Sequence, residues 1–265
     1  MKSENSRSEY RAGIQHEILS QLVTMSNNLG DPALDYVILG EGNTSARADA
    51  GTFWVKASGT ELRTIEASGF VWVRFDRVLA LLDAGDLSDD AVKEGLEAAK
   101  VDPAMTARPS VETVLHALTL QLEGVKFVGH THPTAVNALL CSQKVEEVAS
   151  GRLFPDHIVY CGPASVYVPY TDPGVPLARA VRDSIGRYID EHLEIPKVIL
   201  MQNHGLMALG RTAQEVEDIT AMVVKAARVL LGTYALGGPH FMTAESVARI
   251  HTRPDEAYRR KLFRE

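Results

Sequence analysis

Cysteine is scarce in this chain. Its 265 residues carry two, Cys141 and Cys161, with no C-x-x-C pair and no sign of a disulfide framework. A reducing cytoplasm is the expected setting. Long basic runs are also missing, and the formal net charge is −7, which argues against nucleic acid as a partner. The opening Met1-Lys2-Ser3-Glu4-Asn5-Ser6 is polar and has no apolar signal core. No apolar run approaches membrane-spanning length, so no membrane partner is expected. There is no internal repeat, no low-complexity segment, no G-x-G-x-x-G and no Walker lysine.

What remains is an ordinary globular composition, 45% hydrophobic and 23% charged. The length suffices for one large core. Helical and strand patterns alternate. Tyr10 to Leu29 reads as a helix stopped at Gly30-Asp31-Pro32. Tyr36 to Leu39 reads as a short strand entering the turn Gly40-Glu41-Gly42, and Thr44–Arg47 with Thr52–Lys56 as a hairpin. Phe70–Arg74, Ile158–Tyr160, Val166–Val168, Val198–Met201 and Leu206–Leu209 read as further strands. Asp89 to Lys100 and Val175 to Leu193 read as helices, and so does an apolar stripe from Val216 to Leu230. Val111, Val114, Leu115, Leu118 and Leu122 fall at helical spacing behind Ser110, which is placed to cap that helix. The stretch after Leu231 reads as loosely structured.

The chemistry concentrates in His130-Thr131-His132. Val125 to Gly129 reads as a strand, and residues i and i+2 of a strand share a face. Both imidazoles therefore stand side by side at its end, with Thr131 turned away. His204, between Asn203 and Gly205, and Glu112 in Pro109-Ser110-Val111-Glu112 would complete an N/N/N/O set suited to Zn2+ or a similar divalent ion such as Mn2+ or Co2+. Each residue also has a plainer role. The histidine pair fits a surface strand, Glu112 fits a helix first turn, and His204 fits a turn.

Taken together, these segments resemble the class II aldolase/adducin family. The resemblance runs through Leu39-Gly40-Glu41-Gly42-Asn43-Thr44-Ser45, Lys56-Ala57-Ser58-Gly59, Pro109 to Glu112, His130 to Pro133, and Gln202 to Gly205. Leu236-Gly237-Gly238 and Arg253 to Arg259 extend it toward the aldolase half of bifunctional rhamnulose-phosphate aldolase/dehydrogenases. The chain is too short to carry the dehydrogenase half as well. The resemblance implies an α/β fold, a three-layer α/β/α sandwich around a largely antiparallel mixed sheet. It implies a domain over residues 1–235 and a tail over 236–265 that packs on the domain or on a neighbouring subunit of a homotetramer.

It also implies a metal-dependent lyase that cleaves a ketose 1-phosphate to dihydroxyacetone phosphate and an aldehyde. His130, His132, His204 and Glu112 would hold the metal, and Glu112 would also move protons. Asn43, Ser58, Gly59 and Ser110 would hold the phosphate, with the helix N-terminus behind Ser110 assisting. Some members carry a second hydroxyl where this chain has Val111. Tyr258, in the tail, is a further proton-donor candidate. Related sugar-phosphate 4-epimerases carry aspartate where this chain has Glu112, and related 3-oxo-tetronate-phosphate decarboxylases share the glutamate. Adducin-like interaction domains lack the histidine set.

Overall fold

The computed structural model describes residues 2–255. Among the described residues the helices are α1 (Lys2–Leu29), α2 (Phe75–Asp83), α3 (Asp89–Ala98), α4 (Thr113–Leu120), α5 (Thr134–Leu140), α6 (Val145–Ser150), α7 (Pro155–Cys161), α8 (Val175–His192), α9 (Ala213–Tyr234) and α10 (Ala244–Thr252). The strands are β1 (Asn43–Arg47), β2 (Thr52–Lys56), β3 (Phe70–Arg74), β4 (Phe127–Thr131), β5 (Val166–Val168), β6 (Val198–Met201) and β7 (Gly205–Gly210). No described helix is long and apolar enough to cross a membrane.

The strands form one sheet in the order β3-β2-β1-β4-β7-β6-β5. Every neighbouring pair is antiparallel except β5 with β6. Alternation along each strand feeds two cores. Val128 of β4 belongs to the core under α2, α3, α4 and α8, and Phe127 to the core under α1, α5, α6 and α9. A sheet apolar on both faces must be covered on both, which gives the α/β/α sandwich expected from the family resemblance.

Four local expectations are corrected. Tyr36 to Leu39 forms a loop, not a strand: Leu39 has φ 52° and Ile38 and Leu39 are exposed. Ile158 to Tyr160 lies in α7, with Pro155 in its first turn and Asp156 beside it. Ser110 does not cap α4; the helix starts at Thr113 and Glu112 holds the cap position without a side-chain bond. The described part of the stretch after Leu231, to residue 255, contains regular helices. α9 continues to Tyr234, and Thr243 caps α10 by accepting the Ser246 N–H at 3.2 Å. α10 packs on α7.

Candidate metal centre

β4 is buried along its whole length and sits mid-sheet between β1 and β7. His130 shares the face of Val128, toward α4, where Glu112 stands at the helix start. His132 follows the strand, and its backbone N–H donates to Tyr36 O at 2.9 Å. His204 comes from the turn between β6 and β7. Asn203 takes the left-handed conformation there, with φ 53°. Gly205 is required by the close approach: a Cβ on it would stand 2.5 Å from His132 Cδ2 and 2.7 Å from Thr131 O. Two separate stretches of chain, the end of β4 and the turn between β6 and β7, thus deliver the three rings to one end of the sheet.

The rings converge through one nitrogen each. His130 Nε2 is 3.0 Å from His132 Nε2 and 3.2 Å from His204 Nε2. Glu112 Oε1 is 3.1 Å from His204 Nε2 and 3.6 Å from His130 Nε2. The outer nitrogens decide the tautomers. His130 Nδ1 faces Leu206 O at 2.9 Å, and a carbonyl only accepts, so Nδ1 carries the proton. His132 Nδ1 faces Glu41 Oε2 at 3.1 Å, and the same reasoning applies. In the neutral rings both Nε2 atoms are therefore lone pairs, aimed at each other and at a carboxylate.

Such a cluster of acceptors suits a cation at its centre. Two nitrogens bound to one tetrahedral zinc stand about 3.3 Å apart. The observed separations of 3.0 and 3.2 Å approach that value. The ionisation of the cluster points the same way. Burial alone would raise the Glu112 carboxyl, but His130 and His204 hold it well below the usual carboxylate range. Burial opposes charge on His130, yet Glu112 raises it above an ordinary imidazole. His132 is pushed down to about 4 by burial and by His130. The centre draws positive charge, and the atoms facing it are three imidazole nitrogens and a carboxylate oxygen. The donor set therefore fits a divalent ion.

Asn43 pairs with His130 across β1 and β4, and its Nδ2 donates to Glu112 Oε2. It is thus placed on the carboxylate. Ser58, Gly59 and Ser110 form a neighbouring group, brought side by side by a bridge between Ala57 and Pro109. Ser58 is exposed, and its N–H donates to Arg108 O at 2.9 Å. Gly59 has φ 80° and open space where a side chain would start. Ser110 Oγ is buried without a hydrogen-bond partner, and so is Thr113 Oγ1. His116 is fully buried against Ser45 Oγ at 2.7 Å, and burial pushes it down to about 3. Tyr258 lies outside the described residues.

Two residues at the site were not singled out from the sequence. Glu41 holds His132. Lys56, 2% exposed, donates to Gly40 O at 3.1 Å and faces the charge of Glu112. Glu41 stood inside a glycine-rich turn read for its backbone, and Lys56 ended a strand whose face the pattern left undecided.

Comparison with known proteins follows the same lines. Residues 20–231 match the family model described as the Class II Aldolase and Adducin N-terminal domain. The chain is 29% identical over 219 residues to the uncharacterized oxidoreductase YuxG of Bacillus subtilis, covering 79% of this chain but only 29% of that protein's length. Among solved structures it is similar to the N-terminal class II aldolase domain of a conserved protein from Thermoplasma acidophilum. That match has TM-score 0.64 and 29% identity, over 80% of this chain and 92% of that one. The L-fuculose 1-phosphate aldolase of Glaciozyma antarctica shares the fold at TM-score 0.62 and 16% identity, over 93% of this chain and 86% of that one. The sheet, the site and these matches make the chain a member of the Class II Aldolase and Adducin N-terminal domain family.

Proposed function

We propose that this chain is a metal-dependent class II aldolase that cleaves a ketose 1-phosphate to dihydroxyacetone phosphate and an aldehyde. The observation that carries the reading is the convergence of three imidazole Nε2 atoms and the Glu112 carboxylate on one point. His130, His132 and His204 would hold the ion, with Glu112 as a fourth group. A divalent ion, zinc in this reading, supplies Lewis-acid stabilisation of the negative charge that carbon–carbon cleavage leaves on the substrate's oxygens.

The chain's own residues supply the rest. Cleavage moves one proton from the C4 hydroxyl, breaks the C3–C4 bond with its electron pair going to C3, and returns one proton to C3. Glu112, kept ionised by the imidazoles, is placed to take up a proton and hand it to C3. Asn43 donates to the other carboxylate oxygen and so fixes which oxygen faces the reaction. The unpaired Ser110 hydroxyl, with Ser58 and Gly59 beside it, supplies neutral donors for the substrate's phosphate.

Residues 1–235 would form the catalytic unit and 236–265 its cover. A homotetramer and a cytoplasmic setting belong to the same reading, through the family resemblance and the low cysteine content. The test is a retro-aldol screen of ketose 1-phosphates that reads out dihydroxyacetone phosphate. Glu112→Gln should lower kcat by roughly 10²–10⁴-fold on the accepted sugar while retaining the metal. No dihydroxyacetone phosphate from any of the sugars, with the metal bound, would sink the assignment.

A further inference from the structure

We propose that Glu41 is a positioning residue of the metal centre. It locks the tautomer and aim of His132 and thereby raises the affinity of the three-histidine cluster for a divalent cation. This rests on the reading above that the cluster holds such an ion.

The carboxylate of Glu41 is committed at both oxygens. Oε1 accepts the Ile38 N–H at 2.7 Å, and Oε2 accepts His132 Nδ1–H at 3.1 Å. The first bond closes residues 38–41 into a tight loop and points the second oxygen at the ring. The loop is held from three further sides. Lys56 Nζ donates to Gly40 O at 3.1 Å, and His132 N–H donates to Tyr36 O at 2.9 Å. Gly42 has φ 74°, and a Cβ there would stand 2.8 Å from both His130 O and Val37 Cγ1. The carboxylate is therefore fixed by a clamped backbone, not by a free side chain that happens to reach.

The consequence lies at the far side of the ring. A neutral imidazole has one proton. Held on Nδ1 by a carboxylate, it leaves Nε2 as a lone pair facing the cluster. Without an acceptor at Nδ1 the proton is free to sit on Nε2, where it would block the ligand position. His130 has a carbonyl, Leu206 O, in the corresponding place. His132 has a full negative charge, which makes its ring the more strongly donating of the two.

Glutamine is the decisive substitution. It keeps the volume of Glu41 but has one acceptor where two donors must be met, those of Ile38 and His132. The metal-free protein is titrated with Zn2+ against a chromophoric chelator, for wild type, Glu41→Gln and Glu41→Ala. Both variants should bind the ion about 10–100-fold more weakly. The thermal midpoint of the metal-free Glu41→Gln protein should match wild type. Either variant, folded and binding Zn2+ within twofold of wild type, would overturn the role of Glu41 alone. A wild-type protein that takes up no divalent ion would overturn this role and the metal reading together.

Discussion

Two buried polar sites in this molecule are built on opposite principles. Around Arg152, 2% exposed, every contact matches a donor with an acceptor. Nε donates to Gly162 O at 2.8 Å, Nη1 to Gly151 O at 3.2 Å and Nη2 to Ser165 Oγ at 3.1 Å. Around His130, also buried, acceptor faces acceptor. The first arrangement matches each of these donors and ties α6, α7 and β5 together. The second would be completed by something positive. Burial of charge does not by itself mark a functional site; incompleteness does.

The largest expected effect tests the incomplete site. His130→Ala should reduce the divalent ion from about one per chain to background and abolish turnover, as read by metal analysis and assay of the purified protein. Full activity in the metal-stripped variant would remove the basis of the comparison. A smaller effect should appear at the complete site. Arg152→Leu abandons buried carbonyl acceptors at roughly 1–3 kcal/mol each, so denaturant unfolding should show a loss of that order. Its affinity for the ion should be unchanged; a shared loss would mean the two sites are one network. The smallest effect concerns a hydroxyl that belongs to neither. Ser110 Oγ has no protein partner to lose, so Ser110→Ala should leave unfolding unaltered. If that hydroxyl meets the phosphate, KM should rise by about 10-fold or more with kcat little changed. An equal KM for the free and the phosphorylated sugar in wild type would return Ser110 to an ordinary loop residue.

Much of the fold is legible in the sequence where pattern and partner agree. β3 and β6 begin and end where their apolar runs and flanking turn residues place them, because each fills a slot between or beside other strands. Ile158 to Tyr160 fails for a physical reason: a short apolar run suits a helix buried on one side as well as a strand. Pro155 at the helix start was the signal that decides it. Tyr36 to Leu39 has strand composition but no neighbouring strand among the described residues, and pairing groups of Tyr36 and Ile38 go to His132 and Glu41 instead. α10 carries a readable cap at Thr243 and basic residues in its last turn, but its apolar stripe is too short to stand out as a helix.

The site was legible to the same degree. The spacing of His130 and His132 on one strand fixes their common face whatever the fold. Bringing His204 and Glu112 to them needs the sheet order, which periodicity does not contain, and here the family resemblance supplied it. Glu41 and Lys56 were invisible for a different reason. Their roles are contacts across 91 and 16 residues of chain, made by side chains whose types are common on any surface.

The placement of β4 between β1 and β7 bears on how the chain reaches its native state. Both of its pairings join segments far apart in sequence, Asn43 with His130 and His130 with Met207. Local contacts alone cannot assemble the ligand set, because it spans Glu112 to His204 and leans on Glu41. Pairings of such high sequence separation slow folding, because the loop-closure entropy is paid before their contacts form. Any ion captured there recognises the closed sheet and not the open chain. It thus acts as a latch, shifting the folding equilibrium by mass action in proportion to the logarithm of its free concentration above the dissociation constant.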